Sequence, residues 1–283
     1  MSRRLRTPAP LVPTISRSGR VRRLRDAVRA SLLAVVTLVA AASGAAADGA
    51  ADEVLAGARA VSASVKDKTM RVRMRIVEPD GSVRERTLRG YEKKTELGRR
   101  ILWVFDTPAE LAGTGFLAWQ EGGDEDQLWI YFPGQRRVRR IPPSLRRENF
   151  QGSAFTFEDL TAIFYLDYEG TSTLEGEEDC GEARCKILST ELPEGRFAYR
   201  RIKSWVRNDD HVPVRVEFFD EGLLKVLKVL RVEEIEGVAT AVAMEMESPK
   251  DAFRTQVEFY EIDYNQDLAD SIFTVGHLSQ SGK

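Results

Sequence analysis

A long series of alternating apolar and polar residues constrains this chain more than any other feature. Met70, Val72, Met74 and Ile76 are separated by arginines, which is the pattern of a β-strand with one buried and one solvated face. Similar runs follow one another, and almost every connection is a short turn with Gly, Pro, Asn or Asp. The pattern predicts strands at 70–76, 83–94, 100–106, 114–120, 127–132, 136–141, 171–177, 185–192, 197–207, 212–220, 223–233, 238–247 and 254–263.

So many consecutive strands restrict the fold to a few architectures. A sheet of this size does not stay open and flat, so the sequence predicts strong curling or closure into a barrel. Apolar residues recur at helical spacing over 52–68, which predicts one helix before the first strand. No repeat period or linker interrupts the series. We therefore predict a single domain over 48–283, mainly antiparallel β with few helices.

Residues 1–47 have the composition of a secretory signal peptide. A strongly basic stretch at 20–25 precedes an uncharged apolar run at 31–42, and Ala45, Ala46 and Ala47 form a small-residue exit. The end of the uncharged stretch is Ala, Gly and Ser, which is too weakly apolar for a membrane span of about 20 residues. The sequence therefore predicts a cleaved leader and export to an oxidising compartment.

The charge balance and the missing motifs argue against several classes of function. The chain contains 42 Lys and Arg and 44 Asp and Glu. Residues 1–47 hold nine of the arginines and only one acidic residue, so residues 48–283 carry a clear excess of negative charge. An acidic surface does not favour general nucleic-acid binding. His211 and His277 are the two histidines, both expected at the surface, and no sequence motif of a hydrolase, nucleotide-binding protein or metalloprotease is present. We predict a protein that is not an enzyme, with no cofactor, no metal and no nucleic-acid partner.

The two cysteines are predicted to form a structural disulfide. Cys180 and Cys185 lie in a polar turn between two strand-like runs, so a bond between them would close a hairpin loop. A catalytic redox pair is the alternative, but such pairs usually have two intervening residues at the start of a helix.

Several strands carry unusually bulky residues at positions predicted to face inward. One interpretation is a core filled by its own side chains. The other is a cavity that holds an apolar ligand, with methionines as an adaptable lining. The candidate lining residues are Met74, Trp103, Phe105, Trp129, Tyr131, Val216, Phe218, Met244, Met246 and Phe259.

Several motifs in order resemble those of a known family. The segment 149–160, Asn-Phe-Gln-Gly-Ser-Ala-Phe-Thr-Phe-Glu-Asp-Leu, resembles the central motif of the periplasmic outer-membrane lipoprotein-sorting family, whose fold resembles that of the carrier LolA. One departure is Ala154, where an acidic residue is expected. The resemblance covers 52–278 and also includes the stretches 105–108, 113–115, 127–133, 136–141 and 270–278.

The resemblance implies a curled, incomplete barrel whose open side is closed by helices around an apolar cavity. Such a protein carries the acyl chains of a lipid or lipoprotein through the periplasm, as a monomer and alongside an inner-membrane permease. Two other classes remain open, namely a periplasmic lipid-sensing regulator and a structural envelope protein without a ligand.

A carrier must also release its cargo, so we expect a lid, and residues 149–160 are the candidate. The alternative is a loop that its aromatic residues simply hold in place. We further expect Glu158 and Asp159 to pair with Arg139 or Arg140 and hold the lid shut, because their charges are opposite. The lid residues are Phe150, Gly152, Ser153, Phe155 and Phe157.

Overall fold

The computed structural model describes residues 49–120, 126–162, 170–195, 197–250 and 253–281; the predicted leader at 1–47 lies outside them. A first helix spans 49–64 (α1), and two four-residue helices span Asp159–Ala162 (α2) and Val275–Leu278 (α3). None of the helices in these ranges has the length and apolar character that a membrane crossing requires. The strands are Asp67–Val77 (β1), Val83–Lys94 (β2), Arg99–Thr107 (β3), Gly115–Gln120 (β4), Gln127–Phe132 (β5), Arg137–Ile141 (β6), Thr171–Cys180 (β7), Ala183–Glu191 (β8), Arg201–Arg207 (β9), Pro213–Phe219 (β10), Leu223–Ile235 (β11), Val238–Ser248 (β12) and Phe253–Tyr264 (β13).

All thirteen strands belong to one antiparallel sheet. Its order is β6-β5-β4-β3-β2-β1-β13-β12-β11-β10-β9-β8-β7, so two meanders meet where β1 pairs with β13. At this junction Val72 lies between Leu88 of β2 and Phe259 of β13. The strands β6 and β7, which follow each other in the chain, are the two edges, and no ladder joins them among the described strands. The predicted antiparallel fold with few helices is confirmed, as a curled sheet that does not close.

The first helix is shorter than its apolar pattern predicts. The pattern extends to Lys68, whereas the helix ends at residue 64 and β1 begins at Asp67. The buried carboxylate of Asp67 accepts hydrogen bonds from the backbone N–H groups of Gln266 and Leu268, at 2.7 and 3.2 Å. These contacts fix Asp67 in the extended chain beside β13, and the helix has to end before it.

The main hydrophobic core lies on one face of the sheet, here called the inner face. A second cluster covers the opposite, outer face of β3, β4 and β5, where the C-terminal segment packs. Trp119 Nε1 donates a hydrogen bond to the Phe273 carbonyl at 2.8 Å, which helps to hold that segment. Of the candidate lining residues, the inner core contains Met74, Trp103, Phe105, Val216, Phe218, Met244, Met246 and Phe259.

Trp129 and Tyr131 do not line the interior as the sequence predicts. Both belong to the outer cluster, and Trp129 packs edge-on against Trp119 with ring centroids 4.9 Å apart. Leu128 and Ile130 occupy the inner positions of β5 instead. Because the C-terminal segment buries the outer face here, both faces of these strands are apolar, and alternation no longer tells which face is inside.

The predicted disulfide is present. Cys180 at the end of β7 is bonded to Cys185 near the start of β8, with the two Cα atoms 5.9 Å apart. The pair packs on the outer face with Trp205, and Cys185 is fully buried. Because the disulfide closes a hairpin and packs on a buried face, its role is structural.

Candidate functional site

An apolar cavity of about 170 Å³ lies between α1 and the inner face of the sheet. Two of the candidate lining residues, Met244 and Phe259, form part of its wall. The other inner-core candidates do not border this cavity. Further apolar walls come from Met70, Leu227, Val229 and Ile262 of the sheet and from Ala58, Val61 and Val65 of α1 or just after it.

The helix α1 is held over the cavity at several points. Ala51 and Val54 are buried in the inner core, and Arg99 Nη2 of β3 donates a hydrogen bond to Ser62 Oγ at 2.9 Å. A Cβ atom added at Gly57 would come within 2.5 Å of the His211 ring. Glycine therefore lets the helix approach the β9–β10 turn that carries this histidine.

His211 was expected at the surface and is instead partly buried beside α1. Its backbone is left-handed, with φ at 58°, as suits a tight turn between two strands. His211 is one of the residues that border the cavity. Nothing in the local sequence links residue 211 to residue 57, so the contact between them was not predicted. The only sequence feature that could have indicated it is the glycine inside α1, because a helix with glycine at that position can pack closely against another element.

Charged side chains surround the mouth of the cavity at one end of β1, β2 and β3. Five are basic and two are acidic. Strand pairing brings them together, since Lys68 lies opposite Glu92 and Lys94 lies opposite Arg99. The residues are Lys66, Lys68, Lys93, Lys94 and Arg99, with Asp67 and Glu92.

Residues 149–160, here called the crossing segment, follow the edge strand β6 in the chain and pack on the inner face of the sheet. Phe150 is fully buried, and its ring stacks on Phe105 with centroids 5.7 Å apart. Phe116 and Phe157 contact the same ring at 5.6 and 5.4 Å. The crossing segment thus fills the inner face of β3 and β4 with aromatic rings.

The crossing segment is attached to the other half of the sheet as well. The backbone N–H of Ala154 donates to Thr255 Oγ1 of β13 at 2.9 Å. Phe155 and Ser153 are buried, whereas Gly152 is exposed with a left-handed φ of 70°. No residue of the segment borders the cavity under α1. The candidate lid therefore covers a different part of the inner face.

The two carboxylates of the crossing segment have other partners than those predicted. Asp159 Oδ2 accepts from Lys225 Nζ at 2.8 Å, and Asp159 Oδ1 accepts from the Tyr199 hydroxyl at 2.6 Å. Arg139 and Arg140 lie exposed on β6, and neither is bonded to these carboxylates in the described structure. The edge strand β6 presents these arginines to solvent, while β11 supplies the cation that reaches the buried Asp159.

Glu158 is buried and forms no direct ion pair among the described residues, although the positive charges of Arg147 and Lys225 act on it. Its Oε1 accepts a hydrogen bond from the backbone N–H of Ala198 at 3.2 Å. Burial raises the pKa of Glu158 to about 7, and the neighbouring Asp159 contributes to the increase, while the Ala198 hydrogen bond opposes it. The crossing segment therefore carries a carboxyl group that changes charge near neutral pH.

The arrangement is suited to holding an apolar group away from water. The cavity walls are apolar, and the charged groups stand at the mouth. In the described ranges no group of three or more His, Cys, Asp or Glu side chains is placed to hold a metal ion. What the site offers is a covered apolar space with a charged entrance.

Comparisons with known proteins agree with this architecture. A crystal structure of a DUF1329 family protein from Desulfovibrio piger is 29% identical with a TM-score of 0.75, over 81% of this chain and 98% of that chain. An outer membrane lipoprotein-sorting protein domain from Vibrio parahaemolyticus is 23% identical with a TM-score of 0.74, over 81% and 99%. A LolA superfamily protein from Nitrosomonas europaea is 19% identical with a TM-score of 0.65, over 80% and 98%.

The family assignment rests on a match to the sequence itself. None of the curated proteins matches the chain. A family model described as "Uncharacterized protein" matches residues 98–280, which is more than half of the chain. The fold is LolA-like, and the chain belongs to the family of uncharacterized proteins that this model describes.

Proposed function

We propose that this protein is a periplasmic carrier that binds the acyl chains of a lipoprotein or lipid and moves them across the envelope. The observation that carries the proposal is the apolar cavity between α1 and the inner face. The leader predicted at 1–47 and the similarity to a lipoprotein-sorting domain support the compartment and the class of cargo.

The free-energy cost of exposing an acyl chain to water explains why a carrier needs such a cavity. Each methylene group that leaves water gains about 0.8 kcal/mol, so a sixteen-carbon chain left in water costs on the order of 12 kcal/mol. A protein that moves this chain between membranes has to cover nearly all of it. An apolar space with charges only at its mouth meets that requirement, because the head of an amphiphile stays at the solvent.

In this proposal α1 is the element that moves, instead of the crossing segment. A cavity of about 170 Å³ is similar to the volume of about 150 Å³ that accepts benzene, whereas ligand pockets measure roughly 300 to 1,000 Å³. A long acyl chain therefore needs a wider space. The helix forms one wall of the cavity, and its displacement widens the space without breaking a strand ladder, while the crossing segment is held by the buried Asp159–Lys225 ion pair.

An inner-membrane permease delivers the cargo, and the carrier acts as a monomer, without a catalytic step and without a cofactor. The support is the same fold similarity, since a carrier needs a donor and an acceptor membrane but no reaction.

Native mass spectrometry of the mature protein purified from the periplasm tests the proposal. We expect an adduct of lipid mass at a one-to-one ratio, identified after solvent extraction. Ala58→Phe, which places a ring at the cavity wall, is expected to remove the adduct. Ala60→Phe is the matched control, because residue 60 lies on the same helix but is exposed.

Two results would overturn the carrier. A mass without adduct, with no uptake of added lipid, means that the interior is a filled core. A bound lipid that is never transferred to acceptor vesicles, even with the permease present, points to a sensor.

A further inference from the structure

We propose that the ligand of this cavity is an anionic amphiphile whose negatively charged head is bound at the mouth by Lys66 and Lys94. This inference rests on the carrier function proposed above and adds a selectivity for head-group charge. It follows from the way in which the charges at the mouth are already paired.

The acidic residues at the mouth are engaged by other groups of the protein. The Asp67 carboxylate accepts backbone hydrogen bonds from Gln266 and Leu268 at 2.7 and 3.2 Å. Glu92 forms an ion pair with Lys68 at 3.1 Å and is largely buried. Neither carboxylate is therefore available to neutralise a further cation at the entrance.

The basic residues at the mouth divide into two groups. Lys93 Nζ donates to the Leu268 carbonyl at 2.6 Å and pairs with Asp270 at 2.7 Å, and Arg99 donates to Ser62 of α1. Lys66 and Lys94 are exposed, and no carboxylate of the described residues pairs with either of them. These two ammonium groups are free to bind an anion.

The backbone places the two free lysines side by side. The N–H of Lys94 donates to the carbonyl of Lys66 at 2.7 Å, so both side chains begin at neighbouring points of the mouth. Lys66 and Lys94 also border a shallow depression beside the mouth together with Glu96 and Asp267, but these two carboxylates form no ion pair with either lysine in the described structure and do not border the cavity itself. An acyl chain in the cavity would thus bring its head next to two unpaired cations.

The charge of this entrance is opposite to that of the protein as a whole. The chain has a formal net charge of −2, and residues 1–47 account for nine of its basic groups, so the remainder is clearly acidic. A basic mouth on such a surface is a local feature. Near an anionic head each lysine contributes enough attraction to raise affinity about fivefold, so two give on the order of tenfold or more.

Paired lipids that differ in head-group charge test the inference. The probes are myristoyl lysophosphatidylglycerol, which is anionic, and myristoyl lysophosphatidylcholine, which is zwitterionic, both used below their micelle concentrations. Binding to the mature full-length protein is measured by titration calorimetry at low and high salt. We expect the anionic lipid to bind on the order of tenfold more tightly, and the difference to shrink at high salt because exposed charges are screened.

Variants locate the effect. Lys66→Glu with Lys94→Glu is expected to abolish the preference, and Lys66→Gln with Lys94→Gln to reduce it without adding acidic groups. The control is Arg137→Glu with Arg139→Glu, which makes the same change in charge on the exposed face of the distant edge strand β6 and should keep the preference.

The outcomes separate this inference from the proposed function. Equal affinity of the native protein for both lipids overturns the charge selectivity and leaves the carrier intact. A preference that survives in the Lys66 and Lys94 variants overturns the assignment to these residues. Failure to bind either lipid means that the carrier function itself is wrong.

Discussion

The ammonium group of Lys225 lies 2.8 Å from the carboxylate of Asp159, whose side chain is completely buried. Lys225 belongs to β11, and Asp159 belongs to the crossing segment on the inner face of the sheet. The Tyr199 hydroxyl donates to the second oxygen of the same carboxylate at 2.6 Å. This buried pair fixes the crossing segment to the C-terminal half of the sheet.

Lys225→Met is expected to destabilise the protein by about 3 kcal/mol, because removal of one partner leaves a buried charge uncompensated. Urea unfolding followed by circular dichroism measures the change in free energy. Lys228→Met is the matched control on the same strand, since its ion pair with Glu247 is about 40% exposed and contributes less than about 1 kcal/mol. Equal effects of the two substitutions would contradict the structural role of the buried pair.

Glu158→Gln is expected to remove a pH-dependent loss of stability. The pKa of Glu158 is raised from 4.5 to about 7, so between these values the folded protein keeps a proton that the unfolded chain has lost. Folding then takes up a proton, and stability falls as the pH rises through this range, by about 3 kcal/mol in total.

The measurement for Glu158 is the free energy of unfolding of both proteins from pH 4 to pH 8. The difference between them should be small at pH 4 and should grow in favour of the glutamine variant until about pH 7. The glutamine keeps an oxygen that can accept the Ala198 hydrogen bond. A constant difference across the range would show that Glu158 does not titrate as inferred.

Gly57→Ala is expected to loosen α1, although alanine favours a helix by about 1 kcal/mol over glycine. The added Cβ would meet the His211 ring at 2.5 Å, and such overpacking costs about 1 to 3 kcal/mol. Thermal melts report the stability, and uptake of an apolar dye reports access to the cavity. We expect a lower melting temperature and faster uptake.

His211→Ala supplies the control for the Gly57 substitution. In that background the clash is absent, so Gly57→Ala should become stabilising through helix propensity alone. If the sign of the Gly57→Ala effect is the same with and without the histidine side chain, the contact between α1 and the β9–β10 turn does not determine the packing of the helix.

Removal of both cysteines is expected to lower the free energy of unfolding by roughly 2 kcal/mol, the chain-entropy value for so short a loop. Cys180→Ala with Cys185→Ala is compared with the native protein, each with and without a reductant. Reductant should bring the native protein to the stability of the variant and should leave the variant unchanged. A native protein that is insensitive to reductant would indicate that the bond is not formed in solution.

The sequence predicted the strands well. It predicted the orientation of their side chains dependably where one face meets solvent, whereas on strands with two buried faces the prediction was right for Trp103 and Phe105 of β3 and wrong for β5. On β1, arginines alternate with buried Met70, Val72, Met74 and Ile76, and the structure keeps that alternation. On β5 the outer face is also apolar because the C-terminal segment covers it, so the inner residues were assigned to the wrong positions. The start of β1 was missed for a similar reason, since the partners of Asp67 are about 200 residues away.

The amino-acid sequence by itself determined the number of strands, their antiparallel character, the pairing of the two cysteines and the family resemblance, because these depend on local periodicity, short turns and residue types. Only the tertiary structure decided where the cavity lies, that α1 covers it, which cation reaches Asp159 and which lysines at the mouth are unpaired. Each of these depends on side chains that are far apart in the chain. The curl of the sheet brings them together, and no local pattern encodes their distance.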